Sequence, residues 1–227
     1  MIDGLFKKRI DPLWEMAARP IARVATANQV TLAGLALVAA CCAAFLLHRS
    51  PLWFSLSLVL AFSADSMDGA IARIRKESSH FGGYLDAMVD RYQELLVFIS
   101  LAHFADAWAA ACLAFSGAVI TSYAKARTAI ETPIDNDSWP DFFERQERII
   151  FVCALLICAT AYSSTQDTQG QVIEAGLWLL AAITHGTVMQ RAMRASKILR
   201  AADDIKESEE RRKQVPHLEQ PPQGHLP

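Results

Sequence analysis

Four aspartates have a spacing that would bring their carboxylates together between two apolar stretches. They are Asp65, Asp68, Asp86 and Asp90. Carboxylates three or four residues apart share one face of a helix, and we expect the two pairs to converge on neighbouring antiparallel helices. Crowded carboxylates repel each other unless cations neutralise them, and oxygen ligands select a hard divalent ion such as Mg²⁺ or Mn²⁺. The spacing therefore predicts a site for divalent metal, with space for two ions, that could clamp phosphate oxygens in phosphoryl transfer.

Glycines and an arginine separate these aspartates. Gly69 would let a ligand approach the backbone closely, and Gly82 and Gly83 would do the same on the facing helix. Arg73 lies one turn after Gly69 and can make a forked contact with a phosphate. A simpler interpretation is that the aspartates cap helix ends and pair with nearby arginines. Four ionisable side chains at the edges of apolar segments are costly, which favours the functional interpretation.

The elements that must position these residues are predicted to be membrane helices. Hydrophobic residues make up 52% of the 227 residues and are gathered in blocks, which is typical of a helical membrane protein. Six blocks are predicted to span the membrane: 30–48, 52–64, 83–104, 107–124, 149–161 and 172–189. Asn28 is predicted to cap the first of them. The expected fold class is therefore all-α, an integral membrane bundle of six transmembrane helices.

Both ends of the chain differ in composition from the bundle. Residues 1–26 alternate apolar and basic residues at helical spacing, which predicts an amphipathic helix in the cytoplasmic membrane interface, broken near Pro20. Residues 201–227 are charged and then poor in apolar residues, which predicts a helical extension followed by a largely disordered cytoplasmic tail. The chain is thus expected to have three parts, with a catalytic six-helix domain at 27–200 between these two.

The positions of Lys and Arg predict the orientation. With six spans, the segments on one side hold 5, 3, 4 and 8 of the 22 basic residues, and the loops on the other side hold only Arg49. The positive-inside rule then places both termini and the aspartates in the cytoplasm. We expect a protein of the bacterial inner (plasma) membrane. The net charge of -2 gives no indication of a nucleic-acid partner.

The aspartate stretch resembles the signature of the CDP-alcohol phosphatidyltransferase family. The matching positions are Asp65, Asp68, Gly69, Ala72, Arg73, Gly82, Asp86 and Asp90, together with Asn28 and Thr31 at the entry to the first span. The resemblance covers roughly residues 1–200. It implies an enzyme of phospholipid biosynthesis in which CDP-diacylglycerol binds through its pyrophosphate, an alcohol attacks the phosphorus that bears the lipid, and CMP leaves. It also implies a homodimer.

The resemblance also implies roles for individual residues. Asp65, Asp68 and Asp86 would hold Mg²⁺ or Mn²⁺, with Asp90 beside the metal as a further ligand and as the general base. The CDP part of the donor would contact residues of the first span and of the signature, namely Asn28, Thr31, Asp65, Gly69, Arg73 and Gly82. Spacing alone does not decide which aspartate is the base, since burial and a nearby metal change the basicity of Asp90 in opposite directions.

The acceptor is expected to bind beside a second group of basic residues. These follow the fourth predicted span and are Lys125, Arg127, Arg145 and Arg148. They could bind an anionic acceptor, although the positive-inside rule alone also predicts basic residues here. The pattern resembles the branch that makes phosphatidylinositol phosphate, but the loop 128–144 has no glycine and departs from that branch. Inositol phosphate is the leading acceptor, and glycerol 3-phosphate is the competitor.

Two other classes of protein remain as alternatives. A UbiA-like prenyltransferase also binds pyrophosphate through aspartates and Mg²⁺, but it should have more helices and lack the Gly-x2-Ala-Arg that begins at Gly69. A non-enzymatic ion-binding membrane protein or transporter would place its acidic residues near the middle of a span. The aspartates here lie at the ends of apolar runs, which favours the transferase.

Overall fold

The computed structural model describes residues 16, 18–65, 67–134, 139 and 143–214. Within these residues every regular element is an α-helix, which confirms the all-α class. The helices are α1 (Ala27–His48), α2 (Pro51–Asp65), α3 (Asp68–Arg75), α4 (His80–Ala105), α5 (Trp108–Glu131), α6 (Arg145–Tyr162) and α7 (Gln166–Gln214). The predicted amphipathic helix at 1–26 and the predicted disorder at the end of the chain fall largely outside the described residues.

The start of α1 differs from the prediction. The Thr26 hydroxyl accepts a hydrogen bond from the Gln29 amide at 3.3 Å, and the Gln29 side chain accepts one from the Thr26 amide at 2.9 Å. This capping box makes Thr26 the N-cap, because it satisfies amides that have no partner within the helix. The prediction that Asn28 caps α1 is wrong, and its side chain instead lines a cavity described below.

The first two aspartates lie on two helices rather than on one. Asp65 is the last residue of α2 and Asp68 is the first residue of α3. The short α3 ends at Arg75, and the following Lys76 adopts the left-handed conformation with φ 56°. The chain turns there and enters α4 at His80, with Ser79 accepting a hydrogen bond from the Gly82 amide at 3.0 Å. Asp65 and Asp68 therefore belong to different helices, α2 and α3, and not to the single helix face that the spacing predicts.

Apolar contacts hold the long helices in one bundle. α5 packs along α7, α1 packs against α2 and α4, and α2 packs against α6. The Phe45 ring of α1 stacks on Phe54 of α2 at 4.2 Å between centroids, and the Ser55 hydroxyl donates to the Cys153 carbonyl at 3.0 Å. A Cβ at Gly117 would lie 2.3 Å from the Thr184 Oγ1, so α5 and α7 approach closely, as small residues allow between membrane helices.

The outer surface of the bundle is apolar. Large apolar side chains are exposed on several helices, including Leu47, Trp53, Leu60 and Leu179, and an exterior with many such side chains suits lipid rather than water. Among the described residues, four helical stretches are long and apolar enough to cross a membrane, namely Ala27–His48, Pro51–Arg75, Trp108–Glu131 and Gln166–Arg211. The protein is an integral membrane protein. The two further predicted spans, in α4 and α6, carry charged residues at one end and stay predictions.

A small second core joins the segment before α1 to α3. Residues 18–21 are helical, and Ala18 and Ala22 pack against Met67, Ala70 and Ile71. The Arg75 guanidinium donates to the Ala22 carbonyl at 2.8 Å. The described end of the N-terminal segment is therefore fixed against α3. At the other end of the chain, α7 confirms a helical extension beyond residue 201, since it continues to Gln214.

Candidate functional site

Most of the residues that match the signature line one cavity of about 290 Å³. We call it the glycine cavity, and its walls come from the start of α1, from α3, from the turn after α3 and from the start of α4. Five of the six residues predicted to contact the CDP donor line it, namely Asn28, Thr31, Gly69, Arg73 and Gly82. Asp68 and Asp86 are also in its wall. The structure thus brings two separate stretches of the signature to one surface.

Short hydrogen bonds fix the position of Asp68. The Thr31 hydroxyl donates to Asp68 Oδ2 at 2.7 Å, and the Gly69 amide donates to Asp68 Oδ1 at 2.5 Å. α1 also meets α4 closely, since a Cβ at Gly82 would lie 3.2 Å from Ser79 Oγ and 3.4 Å from Asn28 Oδ1. A side chain at position 82 would therefore push against the cavity wall.

The turn after α3 places another carboxylate at the glycine cavity. Glu77 lines the cavity and accepts a hydrogen bond from Arg75 Nε at 2.8 Å. This hydrogen bond lowers the pKa of Glu77 below its ordinary value, which favours the ionised carboxylate. The pair stabilises the turn that connects α3 to α4.

The proposed metal ligands are only partly described. Asp68 and Asp86 face a common cavity, and carboxylate oxygens of this kind fit a hard divalent cation. The backbone of Asp65 is described at the end of α2, but its side chain lies outside the described part of the structure. Among the described side chains, no three His, Cys, Asp or Glu residues form a metal-binding group. A site that uses all four aspartates therefore stays a prediction.

A second cavity, of about 580 Å³, adjoins the first. We call it the basic cavity, and α4, α5, α6 and α7 all contribute to its wall. Its charged lining residues are Asp86, Asp90, Lys125, Glu144, Arg145, Arg148 and Arg191. Asp86 lines both cavities. Molecules bound in the two cavities would therefore meet near this carboxylate.

Asp90, the predicted general base, lies in the wall of the basic cavity. Its side chain is 16% exposed, and its Oδ1 lies 2.8 Å from Arg145 Nη1. Arg91 Nη2 lies farther away, at 3.8 Å from Asp90 Oδ2. Arg145 also donates to the Gln93 side chain and lies 5.3 Å from the centroid of the Phe62 ring. These contacts orient the Asp90 carboxylate at the junction of α4 and α6.

A buried carboxylate joins two arginines beneath the same cavity. Arg148 Nε donates to Glu94 Oε1 at 2.8 Å, and Arg91 Nη1 lies 2.7 Å from Glu94 Oε2. Arg91 Nη1 also donates to the Ser122 hydroxyl at 2.8 Å. The Glu94 and Arg148 side chains are 4% and 3% exposed. Ion pairs therefore connect α4 to α6, and a hydrogen bond connects α4 to α5.

Arg191 lines the basic cavity, although it is not among the residues that the sequence predicts for the acceptor site. It is buried on α7, donates through Nη1 to the Thr121 carbonyl of α5, and lies 3.5 Å through Nη2 from Glu144 Oε1. The signal for it in the sequence is an arginine directly after the last predicted span, 172–189. That signal is weak, because the positive-inside rule predicts basic residues at the same place.

The four predicted acceptor residues are divided between two environments. Lys125, Arg145 and Arg148 line the basic cavity. Arg127 is not among the lining residues, and its guanidinium pairs with Glu131 one turn later on the half-exposed surface of α5. Residues two apart on a helix point in nearly opposite directions, so a helix that directs Lys125 into the cavity directs Arg127 away from it.

Comparison with known proteins identifies the family. Residues 24–189 match the family model of the CDP-alcohol phosphatidyltransferases. The chain belongs to the CDP-alcohol phosphatidyltransferase family. It is therefore a transferase of phospholipid synthesis, and the prenyltransferase and non-enzymatic alternatives are excluded.

Relatives within this family include synthases of inositol lipids. An archaetidylinositol phosphate synthase of Methanothermobacter thermautotrophicus is 30% identical over 193 residues, which cover 82% of this chain and 88% of that protein. An uncharacterized protein of Aquifex aeolicus is 35% identical over 104 residues, which cover 43% of this chain and only 52% of that protein.

A solved structure shares the fold. The phosphatidylinositol phosphate synthase of Mycobacterium tuberculosis with CDP-DAG bound is 25% identical, with a TM-score of 0.68 over 81% of this chain and 94% of that one. The same synthase has also been solved in complex with manganese and citrate, and that structure matches with a TM-score of 0.67 over 80% of this chain.

Proposed function

We propose that this enzyme transfers the phosphatidyl group of CDP-diacylglycerol to inositol phosphate and releases CMP. The observation that carries the proposal is the shared wall at Asp86, where a cavity lined by the family signature adjoins a cavity lined by a lysine and three arginines. A phosphorylated acceptor needs such basic residues, because guanidinium groups bind phosphate with charge-assisted hydrogen bonds. The inositol lipid synthases among the relatives support the same acceptor.

The glycine cavity is the proposed site of the CDP donor. Asn28, Thr31, Gly69, Arg73 and Gly82 would contact the nucleotide and phosphates, and Asp65 would contribute from the end of α2. The carboxylates of the signature would hold two divalent ions, Mg²⁺ or Mn²⁺, which would offset negative charge on the pyrophosphate. The manganese complex of the mycobacterial synthase supports a divalent ion in this family.

The basic cavity is the proposed site of the acceptor. Lys125, Arg145, Arg148 and Arg191 would bind the acceptor phosphate and hold a hydroxyl near Asp90. Asp90 would take the proton of that hydroxyl as the oxygen attacks the phosphorus that bears the diacylglycerol. A new oxygen–phosphorus bond forms, the bond to the bridging pyrophosphate oxygen breaks, and CMP leaves. Positioned proton transfer of this kind contributes typically about 10²–10⁴-fold to a rate.

The membrane arrangement that we propose has six spans, with α4 and α6 as the two that carry charged ends. Both termini and both cavities would face the cytoplasm of a bacterial inner membrane, because 20 of the 22 basic residues then lie in cytoplasmic segments. Residues 1–26 would form the interfacial helix, 27–200 the catalytic domain and 201–227 the tail. We also propose a homodimer, as the family resemblance implies.

Release of CMP tests the function directly. Purified protein would be incubated with CDP-diacylglycerol and Mg²⁺, and with inositol phosphate, inositol or glycerol 3-phosphate in separate reactions. CMP should be released with inositol phosphate at a higher kcat/KM than with the other two acceptors. Its release should stop when the metal is chelated. A higher kcat/KM with glycerol 3-phosphate would assign that acceptor instead. Absence of CMP with every acceptor, from folded protein, would overturn the proposal.

A further inference from the structure

Glu94 is a buried carboxylate that neither the family signature nor the predicted basic residues account for. It lies one turn beyond Asp90 on α4 and is 4% exposed. On one side of it, apolar side chains that include Leu58, Val97 and Val152 line a small cavity of about 20 Å³. A carboxylate in such surroundings is costly unless its charge is paired and its oxygens accept hydrogen bonds.

Two arginines from different helices provide that pairing. Glu94 Oε1 accepts a hydrogen bond from Arg148 Nε at 2.8 Å and lies 2.8 Å from Arg148 Nη2. Glu94 Oε2 lies 2.7 Å from Arg91 Nη1, and Arg91 also donates to Ser122 on α5. One carboxylate therefore offsets two positive charges and fixes the position of both guanidinium groups.

The contact with Glu94 determines which part of Arg148 faces the basic cavity. A guanidinium is a rigid planar fork with donors on its Nε side and on its Nη side. The Nε side is occupied by Glu94, while Arg148 as a whole contributes to the wall of the basic cavity. The Nη1 end of the fork is therefore the part of Arg148 that can serve an anion in that cavity.

We propose that Glu94 is a positioning residue for acceptor binding. It acts through Arg148, which it orients towards the acceptor phosphate, and it offsets the charges of Arg91 and Arg148, which would otherwise repel each other beneath the cavity. Glu94 itself does not contact the acceptor. This inference rests on the proposed function and deepens it, because it names a residue that determines affinity for the acceptor without changing affinity for the donor.

The first test is Glu94→Gln, which keeps the shape of the side chain and removes its charge. The KM for inositol phosphate should rise about tenfold or more, since a charge-assisted hydrogen bond to Arg148 is weakened. The KM for CDP-diacylglycerol should change by less than about twofold, as for substitutions outside a site. The matched control is Glu207→Gln, which removes the carboxylate of the exposed Glu207–Arg211 pair and should change neither KM. Equal changes in the two KM values, or no change, would overturn the proposal.

A double-mutant cycle separates positioning from a general structural role. In an Arg148→Gln background, Glu94→Gln should add less than about a twofold further increase in acceptor KM, because the residue through which Glu94 acts is already lost. Additive increases in KM would show that Glu94 acts by another route. If Glu94→Gln does not fold, Glu94→Asp replaces it in the kinetic comparison. The shortened carboxylate should raise the acceptor KM and leave the donor KM unchanged, and a rise in both or in neither would contradict the proposal.

Inorganic phosphate provides a readout that does not depend on turnover. Phosphate should raise the thermal unfolding temperature of the wild-type protein, and it should do so less for the Glu94 variant. If the wild-type protein releases no CMP with any acceptor, the proposed function fails, but the role of Glu94 in anion binding is still measured by this shift. Equal phosphate-induced shifts in the wild-type protein and the variant, or no shift in the wild-type protein, would overturn the inference.

Discussion

The two cavities are built from different interactions. The wall of the glycine cavity depends on the close approach of the Ser79 and Asn28 side chains to Gly82 and on the hydrogen bond from Thr31 to Asp68. The wall of the basic cavity depends on ion pairs between helices, which are Asp90–Arg145, Glu94–Arg148 and Glu144–Arg191. A change of side-chain size should therefore affect the first cavity most, and a change of charge should affect the second.

The largest effect is expected at Asp90. Asp90→Asn should lower kcat by about 10²–10⁴-fold, because the amide cannot accept the acceptor proton. Donor binding should persist, since Asp90 is in the wall of the basic cavity only. The measurement is CMP release together with equilibrium binding of CDP-diacylglycerol. Asp167→Asn, an exposed acid at the start of α7, is the control and should retain wild-type activity. Retained turnover in Asp90→Asn would remove its assignment as the base.

Arg191 should show a smaller effect that is confined to the acceptor. Arg191→Gln should raise the KM for inositol phosphate by about tenfold or more, because a charged hydrogen bond to phosphate is worth roughly 1.5–3 kcal/mol. The KM for CDP-diacylglycerol should not change. Steady-state kinetics with each substrate varied in turn measures both values. A parallel rise in the donor KM would show that the two cavities do not bind separate substrates.

Gly82 tests the dependence of the other cavity on shape. Gly82→Ala would place a Cβ 3.2 Å from Ser79 Oγ. Displacing the neighbouring side chains from their preferred rotamers costs roughly 0.5–1.5 kcal/mol. If donor binding loses this energy, the KM for CDP-diacylglycerol should rise about two- to tenfold. Gly186→Ala on α7 is the control, because its Cβ would meet nothing within 4 Å and Gly186 does not line the glycine cavity. Similar kinetics for the two alanine variants would show that this close approach does not shape the donor site.

Arg127 should have the smallest effect of the basic residues. Its pair with Glu131 is half exposed, and such surface ion pairs contribute only about 0–1 kcal/mol. Arg127→Gln should therefore change the KM for inositol phosphate by less than about twofold. If Arg127→Gln raises this KM as much as Arg191→Gln does, the sequence-based placement of Arg127 in the acceptor site is correct and the division between the two environments is not.

Local spacing explains why much of the glycine cavity could be predicted. Its lining residues come from two short stretches, 27–31 and 68–86, so glycine and charge at fixed positions already identify them. The junction between Asp65 and Asp68 was harder to predict, because apolar periodicity does not show where one helix ends and the next begins. The N-cap was missed for a similar reason, since Thr26 and Asn28 are both residue types that favour caps.

The basic cavity was harder to predict from the sequence, because four helices contribute to it. Which side of each helix faces inwards is determined by packing, for example by the contact between Gly117 and Thr184, and one sequence does not reveal that contact. Arg191 and Lys125 are far apart in the chain, and they line the same cavity only after α5 and α7 have packed together. The separation of Lys125 from Arg127 could have been predicted, since residues two positions apart on a helix point in directions that differ by about 200°.

α7 is a single helix that reaches from the bundle to well outside it. It runs from Gln166 to Gln214 over 49 residues, which at 1.5 Å per residue gives about 73 Å, more than twice the ~30 Å thickness of a bilayer core. The part beyond Arg191 is about 35 Å long at the same rise. Because the extension and the packed part belong to one continuous helix, the packing of α7 against α5 also fixes the direction in which the extension leaves the bundle.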